Sequence, residues 1–140
     1  MPDILEPLSH ETIMKKQAIA SPALPAPVGP FSAGIRYGDL LFISGQVALD
    51  PTTGKIISGD IDAQTEQVLS NLRTVLSACN RTLDDAVRVG VYLTDMSQFA
   101  RMNAVYAKHF GQPFPARTTI GVAALPLGAL VEIDMWVAAN

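Results

Sequence analysis

From residue 86 to residue 94, apolar side chains recur at every second position. Val87, Val89, Val91 and Leu93 fall on one side, and Arg88, Gly90, Tyr92 and Thr94 on the other. A period of two marks a half-buried strand and excludes an all-helical chain. The last stretch repeats the pattern over 130–138. Val131, Ile133, Met135 and Val137 alternate there with Leu130, Glu132, Asp134 and Trp136. Further β-type runs occupy 33–37, 40–48 and 117–123. Gly38-Asp39 separates the first two, a two-residue hairpin signal. Between the strands the period changes. Val68, Leu69, Leu72, Val75, Leu76 and Cys79 follow helical spacing and predict a helix over 62–79. Asp60 or Asp62 can cap its start, and Asn80 can take the left-handed position past its end. Phe99, Met102, Tyr106 and Phe110 mark a second helix. Asp95 and Gln98 stand in capping-box spacing before it, and Gly111 and Pro113 close it. The order is ββαβαββ, an α+β sheet with two helices packed on one face.

Composition adds a constraint. The chain has 140 residues, one domain's worth, with 49% hydrophobic and 16% charged residues. Ordinary globular chains carry about 25% charge, so this one is short of residues that cover a surface. Apolar surface hidden against a partner is the expected remedy. The Val/Ile/Met alternation of 117–137 is expected to supply it on the sheet face the helices leave bare. Net charge is −3 and the ten Lys/Arg are scattered, so no nucleic-acid partner is expected. No run reaches ~18 apolar residues without a charge or a Pro/Gly break, so no membrane partner is expected either. Pro22, Pro25, Pro27 and Pro30 give an extended beginning, with a short helical turn around Ser9–Gln17. The division is an N-terminal arm over 1–26 and a single domain over 27–140. No signal segment is read, and Cys79 is the only cysteine. A cytoplasmic location is expected.

Few residues are placed to do chemistry. His10 and His109 are the only histidines, and with one cysteine they make no zinc set. His109 reads as a partner of a helix C-terminal dipole. Cys79 sits on an apolar stripe and reads as an inert buried thiol. Ser44 and Ser32 lack a nucleophile-elbow motif. Arg117 and Glu132 are the informative pair. Arg117 opens a strand among small residues, sharing a side with Thr119 and Gly121, and a guanidinium fork suits a carboxylate. Glu132 and Asp134 share a strand face with an indole. A partly buried Glu there has a raised pKa and can pass protons. The competing reading is an ordinary ion pair from Arg117 to Glu132 or Asp134 across neighbouring strands. Asn103 lies on the packing face of the second helix. It either ties down a loop carbonyl or fixes a strand that carries a site.

Taken in order, the motifs resemble the RidA/YjgF family of small imine deaminases. They are Gly29-Pro30-Phe31-Ser32, Ile43-Ser44-Gly45-Gln46-Val47, Pro51-Thr52-Thr53-Gly54, Gln64-Thr65, Asn71-Leu72 and Val91-Tyr92-Leu93-Thr94-Asp95. Asn103-Ala104-Val105-Tyr106, Pro115-Ala116-Arg117-Thr118-Thr119, Leu125-Pro126 and Val131-Glu132-Ile133 complete the set. The resemblance spans about residues 27–138. It implies a chorismate-mutase-like α+β fold and a homotrimer with a central barrel-like core, with clefts between subunits. It implies that Arg117 binds a substrate carboxylate and that Glu132 positions water. Ser44, Gly45 and Asn103 would line the cleft with Phe31 and Thr119. The implied reaction turns a 2-imino acid, or its enamine, and water into a keto acid and ammonia, without a cofactor. Two departures stand out. Phe31 replaces the family's common Tyr and removes a hydroxyl, and Thr119 replaces its common Cys. They keep two other readings open: a trimeric keto-acid-binding or interaction protein without turnover, and a pathway-specific deaminase of an aminoacrylate- or aminomuconate-like substrate.

Overall fold

In the computed structural model, which describes Ser9 and residues 15–140, helix α1 covers Ile61–Ser77. The Asp60 carboxylate accepts from Ala63 N and caps its start. Asn80 takes the left-handed φ of 53° beyond its end. Its apolar stripe, from Ile61 through Val68, Leu69, Leu72 and Leu76, is fully buried. Each such side chain contributes roughly 1.5–3 kcal/mol of transfer free energy.

The stripe packs on a six-stranded sheet. Its strands are β1 (Gln17–Ala18), β2 (Gly34–Tyr37), β3 (Leu40–Gln46), β4 (Ala86–Leu93), β5 (Ala116–Gly121) and β6 (Val131–Ala138). The spatial order is β1-β2-β3-β6-β4-β5. Among these strands only β4 and β5 run parallel, joined by a crossover carrying helix α2 (Phe99–Tyr106). Gly38, with φ of 63°, turns the β2–β3 hairpin. The last strand in sequence, β6, lies in the middle, between β3 and β4. Two motif side chains hold loops at this layer. Buried Gln64 accepts from Leu130 N at 2.9 Å, just ahead of β6. Asn71 donates to the carbonyls of Val47 and Leu49.

Several expectations need correction. The sheet starts inside the segment read as an arm: β1 pairs with β2, and Ile19 joins the core. The helical turn expected around Ser9–Gln17 lies mostly outside the described residues, as does His10, and Gln17 itself is in β1. Val87 is 45% exposed rather than on the apolar face. The β4–β6 register shifts between Ala86 and Arg88, which turns Val87 outward while Val89, Val91 and Leu93 stay buried. Helix α2 stops at Tyr106, one turn early, yet Phe110 remains buried and stacks on Tyr106 at 4.2 Å. His109 therefore lies beyond the helix. Its ring bridges Arg73 and Glu66 of α1, at 2.8 Å on each side, in place of the expected dipole contact.

The bare sheet face is also not the one expected. Val131, Ile133, Met135 and Val137 are buried against the helices. The open face instead carries Phe42 edge-on to Trp136 at 5.4 Å, with Ile120, Tyr92, Arg88, Glu132 and Asp134. Among the described residues, no helix is long and apolar enough to cross a membrane.

Candidate functional site

The site residues read from the sequence fall into two groups, on opposite faces of the sheet. The first gathers on the helix side of the edge strand. Arg117 is in register with Val89, whose side chain is buried in the core. Neighbouring residues in register point the same way, so Arg117 reaches toward α2. There Phe99, Asn103 and Tyr106, spaced four and three apart, present one helix face. The Arg117 Nη2 donates to Asn103 Oδ1 at 2.6 Å. Its guanidinium carbon lies 4.7 Å from the Tyr106 ring centroid and 5.7 Å from that of Phe99. Asn103 thus fixes the Arg117 side chain rather than a loop carbonyl. Thr119, two residues on, has a buried hydroxyl with no hydrogen-bond partner. Burial holds the Tyr106 phenol above its usual pKa, against the opposing pull of the Arg117 charge.

Among the described residues, no carboxylate pairs with Arg117. The ion pairs among the described residues are Arg101 with Asp60 and Asp62, and His109 with Glu66. A half-buried guanidinium pinned by an amide and two rings, with no counter-charge, is a ready anion site.

The second group lies on the open face. Ser44 Oγ donates to Ser32 O at 2.6 Å, which ties β3 to the segment carrying Phe31. Phe31 itself is 54% exposed. The β3–β6 register shifts between Ile43 and Gln46, and this bulge brings Gly45 under Glu132. A Cβ at position 45 would sit 2.7 Å from Glu132 Oε2. Burial, and then the Asp134 charge, lift the Glu132 carboxyl above its usual pKa. In register across β4, Glu132 stands opposite Tyr92 and Asp134 opposite Gly90. Sequence reasoning missed Tyr92, whose hydroxyl donates to Asp134 Oδ2 at 3.0 Å. The alternation of 86–94 had put it on the polar side, but only the strand pairing reveals its partner.

The ion pair from Arg117 to Glu132 or Asp134 is excluded within one chain. Strand β4 separates β5 from β6, a gap of roughly 10 Å at ordinary strand spacing, and the side chains leave opposite faces. Arg117, Asn103 and Thr119 thus gather on the helix side of the sheet, and Ser44, Gly45 and Glu132 on the open face, with Phe31 next to the Ser32 carbonyl that Ser44 holds. Among the described residues, no group of His, Cys, Asp and Glu side chains could hold a metal ion.

Comparison with known proteins gives this geometry its context. The family model described as Endoribonuclease L-PSP matches residues 21–139. The chain belongs to this family. Its L-PSP relatives include the RutC family protein of Pyrococcus horikoshii, 47% identical over 119 residues, which cover 85% of this chain and 94% of that protein. A 2-iminobutanoate/2-iminopropanoate deaminase of Dermatophagoides farinae is 34% identical over 119 residues, 85% of this chain and 93% of that one. Among solved L-PSP folds, RidA from an Antarctic Psychrobacter superposes with a TM-score of 0.81 at 39% identity. The match covers 87% of this chain and 98% of that chain. The RidA/YjgF resemblance and the α+β fold hold. Names within the family point to a reactive-intermediate deaminase, and the family model itself carries a ribonuclease name.

Proposed function

We propose that this chain hydrolyses 2-imino acids and their enamines to 2-keto acids and ammonia, at sites shared between copies of itself. The observation that carries the proposal is the Arg117 guanidinium, held by Asn103 and Tyr106 and left without a carboxylate among the described residues. A substrate carboxylate completes that half-site. It fixes the imine carbon next to it, which supplies the orientation this reaction needs.

Glu132 then works from a neighbouring copy. Its carboxylate takes a proton from water as the oxygen bonds to the imine carbon, and the C=N electron pair moves to nitrogen. The proton passes on to that nitrogen. Glu132 then carries the hydroxyl proton of the tetrahedral adduct to the same nitrogen; the oxygen electron pair forms the carbonyl, the C–N bond breaks, and ammonia leaves the keto acid. A carboxyl lifted above its usual range suits both roles. No covalent nucleophile or cofactor enters this scheme. A homotrimer covering the Phe42–Trp136 face would bring the two half-sites together, in a cytoplasmic protein. A ribonuclease role is disfavoured by the net charge of −3, which repels a phosphate backbone.

The test couples a pyridoxal-phosphate dehydratase to this protein and follows imine decay by semicarbazide trapping. Faster decay than buffer, lost in Arg117→Ala with the fold intact, supports the reading. Saturable keto-acid binding with no acceleration would instead establish a binding protein without turnover.

Gly45→Ala probes the other half-site. Its methyl group must push the Glu132 carboxyl aside, since only 2.7 Å separates them. The side chain is flexible, so the expected result is a near-unchanged melting temperature. A misplacement of this kind lowers kcat by about 10²-fold. Unchanged turnover would free Glu132 of its assigned role.

A further inference from the structure

The open face holds a second carboxylate and a phenol that the scheme above does not use. Glu132 and Asp134 are two residues apart on β6, so both leave the same face. Tyr92 stands directly opposite Glu132, but its hydroxyl reaches diagonally to Asp134 Oδ2 at 3.0 Å. Position 90 is what allows this. A Cβ there would run into Asp134 Oδ1 and come within 3.0 Å of the Tyr92 hydroxyl. Gly90 therefore makes room for the Tyr92–Asp134 bond, as Gly45 makes room for Glu132.

We propose that Tyr92 and Asp134 are a positioning pair for Glu132: the phenol pins the Asp134 carboxylate, and that fixed negative charge decides when Glu132 holds or releases its proton. The inference rests on Glu132 being the proton carrier of the deaminase reading. The surrounding groups favour it. From β4, the charged or titratable groups on this face are Tyr92 and Arg88. Arg88 is engaged with Thr118 Oγ1 at 2.8 Å, and Tyr92 bonds Asp134. From β3 the neighbours are Ser44, Gly45 and Gln46, none of which titrates. From β5 they are Thr118 and Ile120. Among the described residues, Asp134 is thus the one carboxylate placed to act on Glu132 from within the chain. The Tyr92 phenol keeps its proton for the bond, because burial and the hydrogen bond to Asp134 both raise its pKa.

The test is a carboxyl-carbon NMR titration of Glu132 in the wild-type protein, Asp134→Asn and Tyr92→Phe, beside the pH profile of imine hydrolysis. Asp134→Asn should move the Glu132 midpoint down by about half a pH unit or more. The acid limb of kcat/KM should move with it. Tyr92→Phe should move both in the same direction by less, since the carboxylate stays but is no longer pinned. An unmoved Glu132 midpoint overturns the pairing whether or not imines are turned over. A moved midpoint with an unmoved acid limb overturns its part in turnover. Wild-type protein that fails to hydrolyse any imine overturns the deaminase reading instead, and the NMR arm separates that failure from the others.

Discussion

Arg117→Ala and Glu132→Gln, each inactive alone, are expected to regain about a quarter of the wild-type rate when refolded together in equal amounts. The arithmetic follows from the two half-sites. On the proposed reading, a working site needs Arg117 from one copy and Glu132 from the next. In a random mixture, half of the copies keep Arg117 and the other half keep Glu132. The two conditions are met together in about one site in four, for any closed ring of copies. The single variants are severe for different reasons. Losing Arg117 removes a charge-assisted anchor worth about 2–5 kcal/mol of binding. Losing the Glu132 carboxylate removes proton transfer worth about 10²–10⁴-fold. Were both residues drawn from one copy, every site in the mixture would lack one of them and no activity would return. The structure argues against that arrangement, because β4 lies between the two strands and the side chains leave opposite faces. Sedimentation of the refolded mixture gives the number of copies in the ring.

The same separation shows what a sequence can and cannot carry. Local periods placed the strands and α1 well, because side-chain burial imposes them residue by residue. The cap at Asp60 and the left-handed Asn80 were readable for the same reason: each depends on its immediate neighbours. Parity correctly put Glu132, Asp134 and Trp136 together, opposite Val131, Ile133 and Met135. What parity cannot say is which strand lies beside which. β6 inserts between β3 and β4, and this long-range pairing separates Arg117 from Glu132 and Asp134 where the sequence offered an ion pair. It also reversed the expected bare face, since the apolar side of β6 is the side the helices cover. A bulge is invisible for a related reason. Val87 continues the apolar alternation in the sequence, while the shift at Ala86–Arg88 points it outward. Phe110 misled in the opposite sense. It extends the stripe of α2 because it packs on Tyr106, although the helix has already ended.

Adjacent residues on β6 should show this alternation directly in stability. Ile133 is fully buried, in register with Val91 and Gln46. Ile133→Ala removes packed volume from a core that cannot fully collapse. It is expected to cost about 2–5 kcal/mol, a large share of a typical 5–15 kcal/mol. Glu132→Gln, one residue away, should behave in the opposite way. Burial and the Asp134 charge raise the Glu132 pKa in the folded protein. For an acid with a raised folded pKa, the stabilising contribution is complete below the unfolded value of about 4.3 and lost as pH rises through the folded value. At pH 7–8 the ionised carboxylate therefore opposes folding, and glutamine of the same shape removes that penalty. Glu132→Gln should match or exceed wild-type stability at neutral pH, and its advantage should shrink toward pH 4. Urea unfolding of both variants from pH 4 to pH 8 tests the pair. A loss in Glu132→Gln comparable to that in Ile133→Ala would mean that the carboxylate holds the fold rather than standing ready for a substrate.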